Sequence, residues 1–213
     1  MDLFSRSKDH YRWGWLSEVD EPWEIFSKAS NRNLEQIIIE SISREMTNCK
    51  GLEGVDASIG PIYVHPDVVL STCIRIEGPV YIEEGAQIRH GAYLRPGTYI
   101  SSGCIVGHCS EIKNTLMLPY SKAPHFNYVG DSILGYEVNL GAGAKISNVR
   151  LDRRTVPIQL SDMTKLDSGL TKFGAMIGDS SEIGCNVVTN PGAVIPSSSA
   201  VPPNTVVTGY WDH

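Results

Sequence analysis

The sequence predicts an all-β protein, a single-stranded parallel β-helix built of hexapeptide repeats, with a short N-terminal helical arm. The main observation is an aliphatic residue at every sixth position over a long stretch of the chain. Neither an α-helix nor ordinary strand alternation gives six as its dominant period, whereas a chain that turns a corner after each short strand does. The first series is Val64, Leu70, Ile76, Ile82, Ile88, Leu94, Ile100, Val106, Ile112 and Leu118. Two shorter series are Leu134, Leu140 and Ile146, and then Ile177, Ile183, Thr189, Ile195, Val201 and Val207.

Glycines recur with the same period, three residues after the aliphatic positions, and a small residue follows each glycine. Glycine permits a corner conformation, and a small side chain fits a narrow interior. Three such units would form one triangular coil, and successive coils would stack about 4.8 Å apart, with room for about seven coils. The glycines are Gly85, Gly91, Gly97 and Gly103, and the small residues are Ala86, Ala92, Thr98 and Cys104.

The repeat divides the chain into three predicted parts. These are an arm at 1–57, a β-helix domain at 58–207 and a tail at 208–213. The period breaks at about 119–131 and 147–175, and we expect a loop insertion at each break. Insertions between repeats commonly lie on the binding face, so the breaks are the places to look for chemistry.

The arm contains one predicted α-helix. Asn33 followed by Gln36 has the spacing of an N-terminal cap, and apolar residues then recur at helical intervals. We therefore expect a helix over about 33–47, with its apolar face packed on the β-helix or on a neighbouring subunit. The apolar positions are Leu34, Ile37, Ile38 and Ile42.

Composition and charge exclude several classes of function. The formal net charge of −6 argues against a sequence-independent nucleic-acid binder, which needs a basic footprint. No secretory h-region or long apolar run occurs, so neither secretion nor a membrane span is expected. The odd number of cysteines, without C-x-x-C spacing, indicates reduced thiols in a cytoplasmic protein. The cysteines are Cys49, Cys73, Cys104, Cys109 and Cys185, of which Cys104 is expected to fill the core.

Five motifs occur in an order and spacing that carry a resemblance. They are Leu94-Arg95-Pro96-Gly97, Glu111-Ile112-Lys113-Asn114, Pro124-His125-Phe126-Asn127-Tyr128-Val129-Gly130-Asp131-Ser132, Val138-Asn139-Leu140-Gly141-Ala142-Gly143 and Ser147-Asn148. The set resembles the C-terminal acetyltransferase domain of the bifunctional N-acetylglucosamine-1-phosphate uridyltransferase / glucosamine-1-phosphate acetyltransferase. Two further segments resemble more closely the archaeal sugar-1-phosphate nucleotidylyltransferases that carry such a domain, namely Asn148-Val149-Arg150-Leu151-Asp152 and Lys172-Phe173-Gly174-Ala175-Met176-Ile177-Gly178-Asp179. The resemblance spans roughly 60–207.

The resemblance implies a fold, an assembly and an activity. The coils should wind left-handed, and three copies should pack as a homotrimer with ligands bound between neighbours. The expected reaction is N-acetylation of an amino-sugar 1-phosphate by acetyl-CoA, with no metal required. No glycine-rich nucleotide loop precedes residue 60, so we expect acetyl transfer without nucleotidyl transfer.

The same resemblance suggests a role for nine residues. His125 matches the general base that takes a proton from the 2-amino group, a task that suits a histidine titrating near neutrality. The alternative for His125 is a loop histidine with a structural hydrogen bond. Positions that match contacts to the sugar or its phosphate are Arg95, Lys113, Tyr128, Asn139, Asn148 and Lys172. Positions that match the acetyl-CoA side are Ala142 and Cys185, the latter where serine is usual.

Several of these roles have alternatives. Arg95 and Lys113 are one 18-residue coil apart and should stack, which favours a phosphate site, although a solvated basic face is the common fate of such charges. Asn139 could instead form an interior asparagine ladder. Lys172 matches only if 149–171 is an insertion, and this basic excursion leaves open a nucleotide-linked acceptor.

Two other functions compete with acetyl transfer. One is a non-catalytic module that binds a sugar nucleotide or regulates a partner, with the tryptophans of the arm, Trp13, Trp15 and Trp23, as a docking element. The other is a zinc enzyme like the γ-class carbonic anhydrases, because His90 and His108 are one coil apart. That alternative needs a third ligand at His-x4-His spacing, which the sequence lacks.

Overall fold

The computed structural model describes residues 3–43 and 52–212. The described chain folds into the predicted left-handed parallel β-helix, preceded by an arm. Three parallel sheets run along the β-helix, and each interior strand pairs with the strands one coil before and one coil after it. Sheet A has eight strands, and sheets B and C have seven each. A two-stranded antiparallel hairpin lies outside the coils.

The strands are short, as a chain that turns three corners per coil requires. In chain order they are β1 (Val55–Asp56), β2 (Ile62–Val64), β3 (Val69–Leu70), β4 (Arg75–Glu77), β5 (Val80–Ile82), β6 (Gln87–Ile88), β7 (Tyr93–Leu94), β8 (Thr98–Ile100), β9 (Ile105–His108), β10 (Glu111–Lys113), β11 (Leu116–Met117), β12 (Lys122–His125), β13 (Tyr128–Gly130), β14 (Ile133–Leu134), β15 (Asn139–Leu140), β16 (Lys145–Ile146), β17 (Pro157–Gln159), β18 (Lys165–Asp167), β19 (Ala175–Ile177), β20 (Glu182–Ile183), β21 (Val188–Thr189), β22 (Ala193–Ile195), β23 (Ala200–Val201) and β24 (Val206–Val207). Sheet A contains β1, β4, β7, β10, β13, β16, β21 and β24, sheet B contains β2, β5, β8, β11, β14, β19 and β22, and sheet C contains β3, β6, β9, β12, β15, β20 and β23.

The interior of the coils is filled by the aliphatic side chains of the repeat. Ile76 pairs with Leu94, 18 residues later, and such pairs form one continuous buried core. Cys104 lies fully buried in this core, as predicted, and burial raises the pKa of its thiol to about 12. Gly97 is one of the predicted corner glycines. It has a φ of 80°, and a Cβ there would lie 2.5 Å from the Asn114 Oδ1.

The predicted loop insertion at 119–131 is wrong, because this segment continues the coils. Strand β12 pairs with β9 and β15, and β13 pairs with β10 and β16. The period slips because the corner after β10 is one residue shorter than the preceding corners. Met117 therefore takes the interior position that the period predicts for Leu118, and Leu118 is buried outside the coils.

The slip hides the repeat from a search at fixed spacing. The next interior residues are Ala123 and Val129, each one position before the place where the period of six expects an aliphatic. The corner after β13 is shortened in the same way, which brings Leu134 into the interior. Two successive coils are thus 17 residues long, as the pairs Ile100 with Met117 and Met117 with Leu134 show.

The second break is a true excursion from the coils. The chain leaves after β16 and returns at β19, which pairs with β14 as if nothing intervened. Between them, the excursion carries the antiparallel hairpin of β17 and β18. Val156 and Ile158 of the excursion are fully buried, so the hairpin is packed against the β-helix.

The described part of the arm contains three short 3-10 helices and one α-helix. The 3-10 helices are Ser5–Asp9, Gly14–Ser17 and Pro22–Phe26, and helix α1 is Leu34–Ser43. The backbone N–H of Gln36 donates a hydrogen bond to the Asn33 Oδ1 over 3.2 Å, which is the expected cap. The last residues of the predicted helix, and Cys49, fall in 44–51, outside the described residues.

The arm packs on the outer face of sheet B. Apolar side chains of both form a second buried cluster, separate from the core inside the coils. The arm contributes Leu3, Phe4, Trp13, Leu16, Trp23, Ile25, Phe26, Leu34, Ile38 and Ile42, and the sheet contributes Tyr81, Tyr99, Leu116, Ile133, Met176 and Val194. Burial of these aromatic and aliphatic side chains stabilises the docked arm. No helix among the described residues is long and apolar enough to span a membrane.

A buried carboxylate also holds the arm. Glu83, directly after strand β5, accepts hydrogen bonds from the Tyr11 hydroxyl over 2.8 Å, from the Tyr99 hydroxyl, and from the Ser102 backbone N–H over 2.8 Å. The His10 Nε2 lies 3.9 Å from the same carboxylate. Tyr11 and His10 belong to the arm, so Glu83 joins the arm to the first coils.

Trp13→Ala should destabilise the protein more than Trp15→Ala. Trp13 is fully buried, with its ring 4.8 Å from that of Tyr99 and edge-on to it, whereas Trp15 is half-buried under Arg32. Emptying the Trp13 site should lower the free energy of unfolding by about 3–5 kcal/mol. Urea unfolding of both variants measures this, and equal losses would contradict the packing described for the arm.

Glu83→Gln should lose stability in a pH-dependent way. Burial alone would raise the pKa of the Glu83 carboxyl, but hydrogen bonds from His10, Tyr99 and Tyr11 hold it below its ordinary value. Ionised Glu83 therefore stabilises the fold above the unfolded pKa of about 4.3, and this contribution is lost as the pH falls through the folded pKa. The difference in free energy of unfolding between wild type and variant should be present at neutral pH and shrink in acid.

The control for this measurement is Glu84→Gln, which neutralises the exposed carboxylate next in sequence. It should stay close to wild type at neutral pH. A Glu83→Gln difference that stayed constant down to acid pH would mean that the ionised carboxylate does not hold the arm.

Candidate functional site

One corner of the β-helix collects three of the residues singled out in the sequence. Where sheet C turns into sheet A, His125, Ala142 and Cys185 follow one another on successive coils. The backbone shows the register, because the N–H of Gly143 donates to the His125 oxygen and the N–H of Asn186 donates to the Ala142 oxygen. We call this line of residues, with His90 and His108 before it, the corner column.

His125 is exposed at this corner, and the part of the chain that the structure describes offers its imidazole no hydrogen-bond partner. Its backbone N–H donates to the Asn127 Oδ1 over 3.0 Å, which fixes the turn. His108 is its register partner on the preceding coil. The rings of His90 and His108 stack 5.6 Å apart, as their 18-residue spacing predicts.

Tyr128 stands three residues after His125, on the outer face of sheet A. Its hydroxyl donates to the Asn148 Oδ1 over 3.3 Å. The Asn148 amide in turn donates to the carboxylate of Asp131. Burial raises the pKa of the Tyr128 hydroxyl above its ordinary value, which keeps the phenol protonated and able to donate.

Asp131 is the centre of this polar network, and sequence reasoning gave it no role. Only 3% of the residue is exposed, and it also accepts hydrogen bonds from the Lys113 Nζ over 3.3 Å and the Asn114 Nδ2 over 2.7 Å. Its spacing was the available signal, because Asp131 follows Asn114 by 17 residues and Asn148 follows Asp131 by 17. In a coil of 17 residues these three side chains stack at one corner.

Arg95 lies on the strand next to Lys113, since Leu94 pairs with Ile112. Its guanidinium donates to the Glu111 Oε1 over 2.8 Å, and this hydrogen bond raises the pKa of Arg95. The Nε of Arg95 is buried and has no hydrogen-bond partner among the described residues. A buried donor without a partner is costly, so this N–H is suited to an anion.

Lys172 lies beside this network, and Asn139 lies apart from it. Lys172 is exposed at the end of the excursion, and the N–H of the next residue, Phe173, donates to the Asn148 oxygen over 2.9 Å. Asn139 is on sheet C, where its amide donates to the Glu182 Oε2 over 2.9 Å. One copy of the chain therefore does not bring Asn139 to Tyr128.

The described residues contain no group of three or more histidine, cysteine, aspartate or glutamate side chains placed to hold a metal ion. Cys73, Cys104, Cys109 and Cys185 are free thiols. The described residues offer an exposed imidazole at one edge of sheet A, a phenol on the face of the sheet and two neighbouring cations at its other edge.

Asp131→Asn should destabilise the fold, because an amide cannot accept all three hydrogen bonds that the carboxylate accepts. At least one buried N–H donor would face another donor, at an expected loss of about 1–3 kcal/mol in the free energy of unfolding. The control is Asp162→Asn, at an exposed turn of the hairpin where asparagine can replace the carboxylate. If urea unfolding gave both variants the same stability, Asp131 would not organise the network.

Comparisons with known proteins find similar sequences and a similar solved structure. A model of the GMPPB C-terminal domain matches residues 76–165. The bifunctional protein GlmU of Methanococcus maripaludis is 34% identical over 194 residues, which is 91% of this chain and 45% of that protein. A bifunctional sugar-1-phosphate nucleotidylyltransferase/acetyltransferase of Sulfurisphaera tokodaii is 36% identical over 110 residues, 50% of this chain and 27% of that protein.

A solved hexapeptide transferase family protein from Anaplasma phagocytophilum aligns with a TM-score of 0.37 at 18% identity, covering 68% of this chain and 72% of that one. The chain spans less than half the length of the first curated relatives it matches. Over its own length, the chain resembles the hexapeptide-repeat acetyltransferase domain of the bifunctional sugar-1-phosphate enzymes.

Proposed function

We propose that this protein transfers the acetyl group of acetyl-CoA to the amino group of an amino-sugar 1-phosphate. The observation that carries the proposal is the exposed imidazole of His125 at one edge of sheet A, three residues before Tyr128 and across the sheet from the Arg95 and Lys113 cations. Their arrangement provides a base for an amine and, along one edge, donors for a phosphate.

In this mechanism, neutral His125 accepts a proton from the sugar amine as the amine nitrogen attacks the thioester carbonyl. The C–S bond then breaks, and the CoA thiolate leaves and takes the proton from His125. An amide and free CoA are formed, and His125 is neutral again. The transfer is direct, because none of the proposed site residues is a serine or cysteine placed beside the histidine as a nucleophile.

The sugar phosphate would lie at the opposite edge of sheet A from the corner column. The buried Nε of Arg95 and the Nζ of Lys113 supply charged donors there. Asn148 would hold the Tyr128 hydroxyl toward the sugar, and exposed Lys172 would add a second positive charge beside Asn148. Acetyl-CoA would follow the corner column from His125 past Ala142 toward Cys185.

We place this site between copies of the chain in a homotrimer. The arm covers sheet B, so sheets A and C are the faces left for packing side by side. Sheet C of one copy against sheet A of the next would bring a neighbour's Asn139 to Tyr128, which one chain does not do. In this arrangement Asn139 could contact the substrate even though it lies on sheet C, away from Tyr128 of its own chain.

His125→Ala should lower the rate of acetyl transfer by about 100- to 10,000-fold, the range for loss of a general base. The assay is thiol release from acetyl-CoA with glucosamine 1-phosphate and galactosamine 1-phosphate as acceptors. Calorimetry should show that the variant still binds the acceptor, because the phosphate edge is unchanged.

The matched control is His65→Ala, which removes a histidine from the first coils, on the side of the arm. It should keep the wild-type rate. Full activity of His125→Ala would sink the proposed role of His125. Acceptor binding by wild type with no thiol release would instead favour the non-catalytic sugar-binding module.

A further inference from the structure

We infer that the acceptor is a nucleoside diphosphate amino sugar, and that its nucleoside end lies in a cavity beneath the excursion. This inference rests on the proposed function, and it names the substrate class of the same site. The cavity has a volume of about 600 Å³, within the range of small-molecule sites. Its lining includes Ser147, Arg150, Gln159, Lys165, Asn190 and Thr208.

The cavity lies along the same edge of sheet A as Arg95 and Lys113, where we place the sugar phosphate. Three residues of the lining come directly after the interior residue of their coil in sheet A: Ser147, Asn190 and Thr208. Arg95 and Lys113 occupy the same position on earlier coils. They therefore form one outward line along the β-helix. Ser147 is also the immediate neighbour of Asn148, which holds the Tyr128 hydroxyl, so the cavity opens directly beside the sugar site.

The distance suits a diphosphate linkage. Lys113 and Ser147 lie two strands apart, about 10 Å at the usual strand spacing. A sugar 1-phosphate that sits over Tyr128 ends at Lys113 and Asn148 and leaves the cavity unused. A second phosphate and a ribose continue along the same line and enter it.

The charge of the excursion favours an anion. Residues 149–174 carry five lysines and arginines against three aspartates, in a chain of net charge −6. Arg150 donates to the Asp152 Oδ1 over 2.8 Å and is held in place. Lys165 is exposed on the wall and makes no ion pair with a described residue, so its ammonium is available to a phosphate.

The hairpin that forms one wall of the cavity is packed closely against the coils. A Cβ at Gly192 would lie 2.2 Å from the Pro157 oxygen, so the hairpin backbone rests directly on the coil there. A Cβ at Gly209 would meet the Gln159 side chain at 2.8 Å. A wall seated this closely needs little ordering on binding, which favours affinity. The proposed path of acetyl-CoA follows the corner column at the other edge of sheet A and leaves this cavity free.

The test combines binding and turnover. Calorimetry with UDP, GDP, dTDP and CDP should show that wild type binds at least one of them. Lys165→Ala should weaken that binding about tenfold and Lys165→Glu further. Arg153→Ala removes an exposed positive charge from the same excursion without touching the cavity, and it should bind like wild type. Thermal unfolding checks that all three variants are folded.

Turnover separates this inference from the proposed function. Thiol release should be at least tenfold more efficient in kcat/KM with UDP-glucosamine, or with the amino sugar of whichever nucleotide binds, than with glucosamine 1-phosphate. Lys165→Ala should raise KM for the nucleotide-linked acceptor alone. Acetylation of the 1-phosphate without binding of any nucleoside diphosphate would overturn the inference and leave the proposed function standing. Lys165-dependent nucleotide binding without acetyl transfer would sink the proposed function and keep the cavity as a nucleotide site.

Discussion

The backbone pairing of each strand with the strand one coil away is the constraint on which the rest of this structure depends. It forces the chain to return an aliphatic side chain to the same interior line at every corner, and that requirement produces the period of six. It also makes neighbours of residues 17 or 18 positions apart. Residues of the proposed site that are far apart in sequence are therefore neighbours in space when they occupy the same position on successive coils.

One face of the β-helix is covered by the arm and the other two are not, because the outward side chains of the three sheets differ. Sheet B presents tyrosine, leucine and methionine to the outside, and these apolar side chains need a cover, which the arm supplies. Sheets A and C present mostly charged and polar side chains, which water can solvate, with Val69 and Val206 among the exposed exceptions. Covering the apolar face with the chain's own arm leaves two faces for ligands and for other copies.

Much of the fold could be predicted from the sequence, because the interior aliphatics repeat without interruption from residue 64 to residue 112 and the corner glycines from residue 85 to residue 103. The 18-residue length of one coil also predicted that Arg95 and Lys113 are neighbours on adjacent strands. The segment after Ile112 could not be predicted in this way. A corner that loses one residue moves the interior position onto Met117 and Ala123, and a small alanine among polar residues gives no hydrophobic signal. The separation of Asn139 from Tyr128 was not predicted either, since the resemblance that grouped the two residues does not say on which sheet each one lies.

The shortened corners coincide with the polar network of the site, and a physical reason connects the two. Asn114 and Asp131 occupy these corners with φ of 44° and 48°, a conformation that asparagine and aspartate tolerate better than other side chains do. Because each corner is one residue shorter, Asn114, Asp131 and Asn148 stack and share one buried carboxylate. An ideal repeat would put glycine there, as it does at Gly97, and would have no side chain to hold Lys113 or Tyr128. The departure from the repeat is therefore what builds the polar network of the candidate site, in keeping with the tendency of functional sites to break local rules.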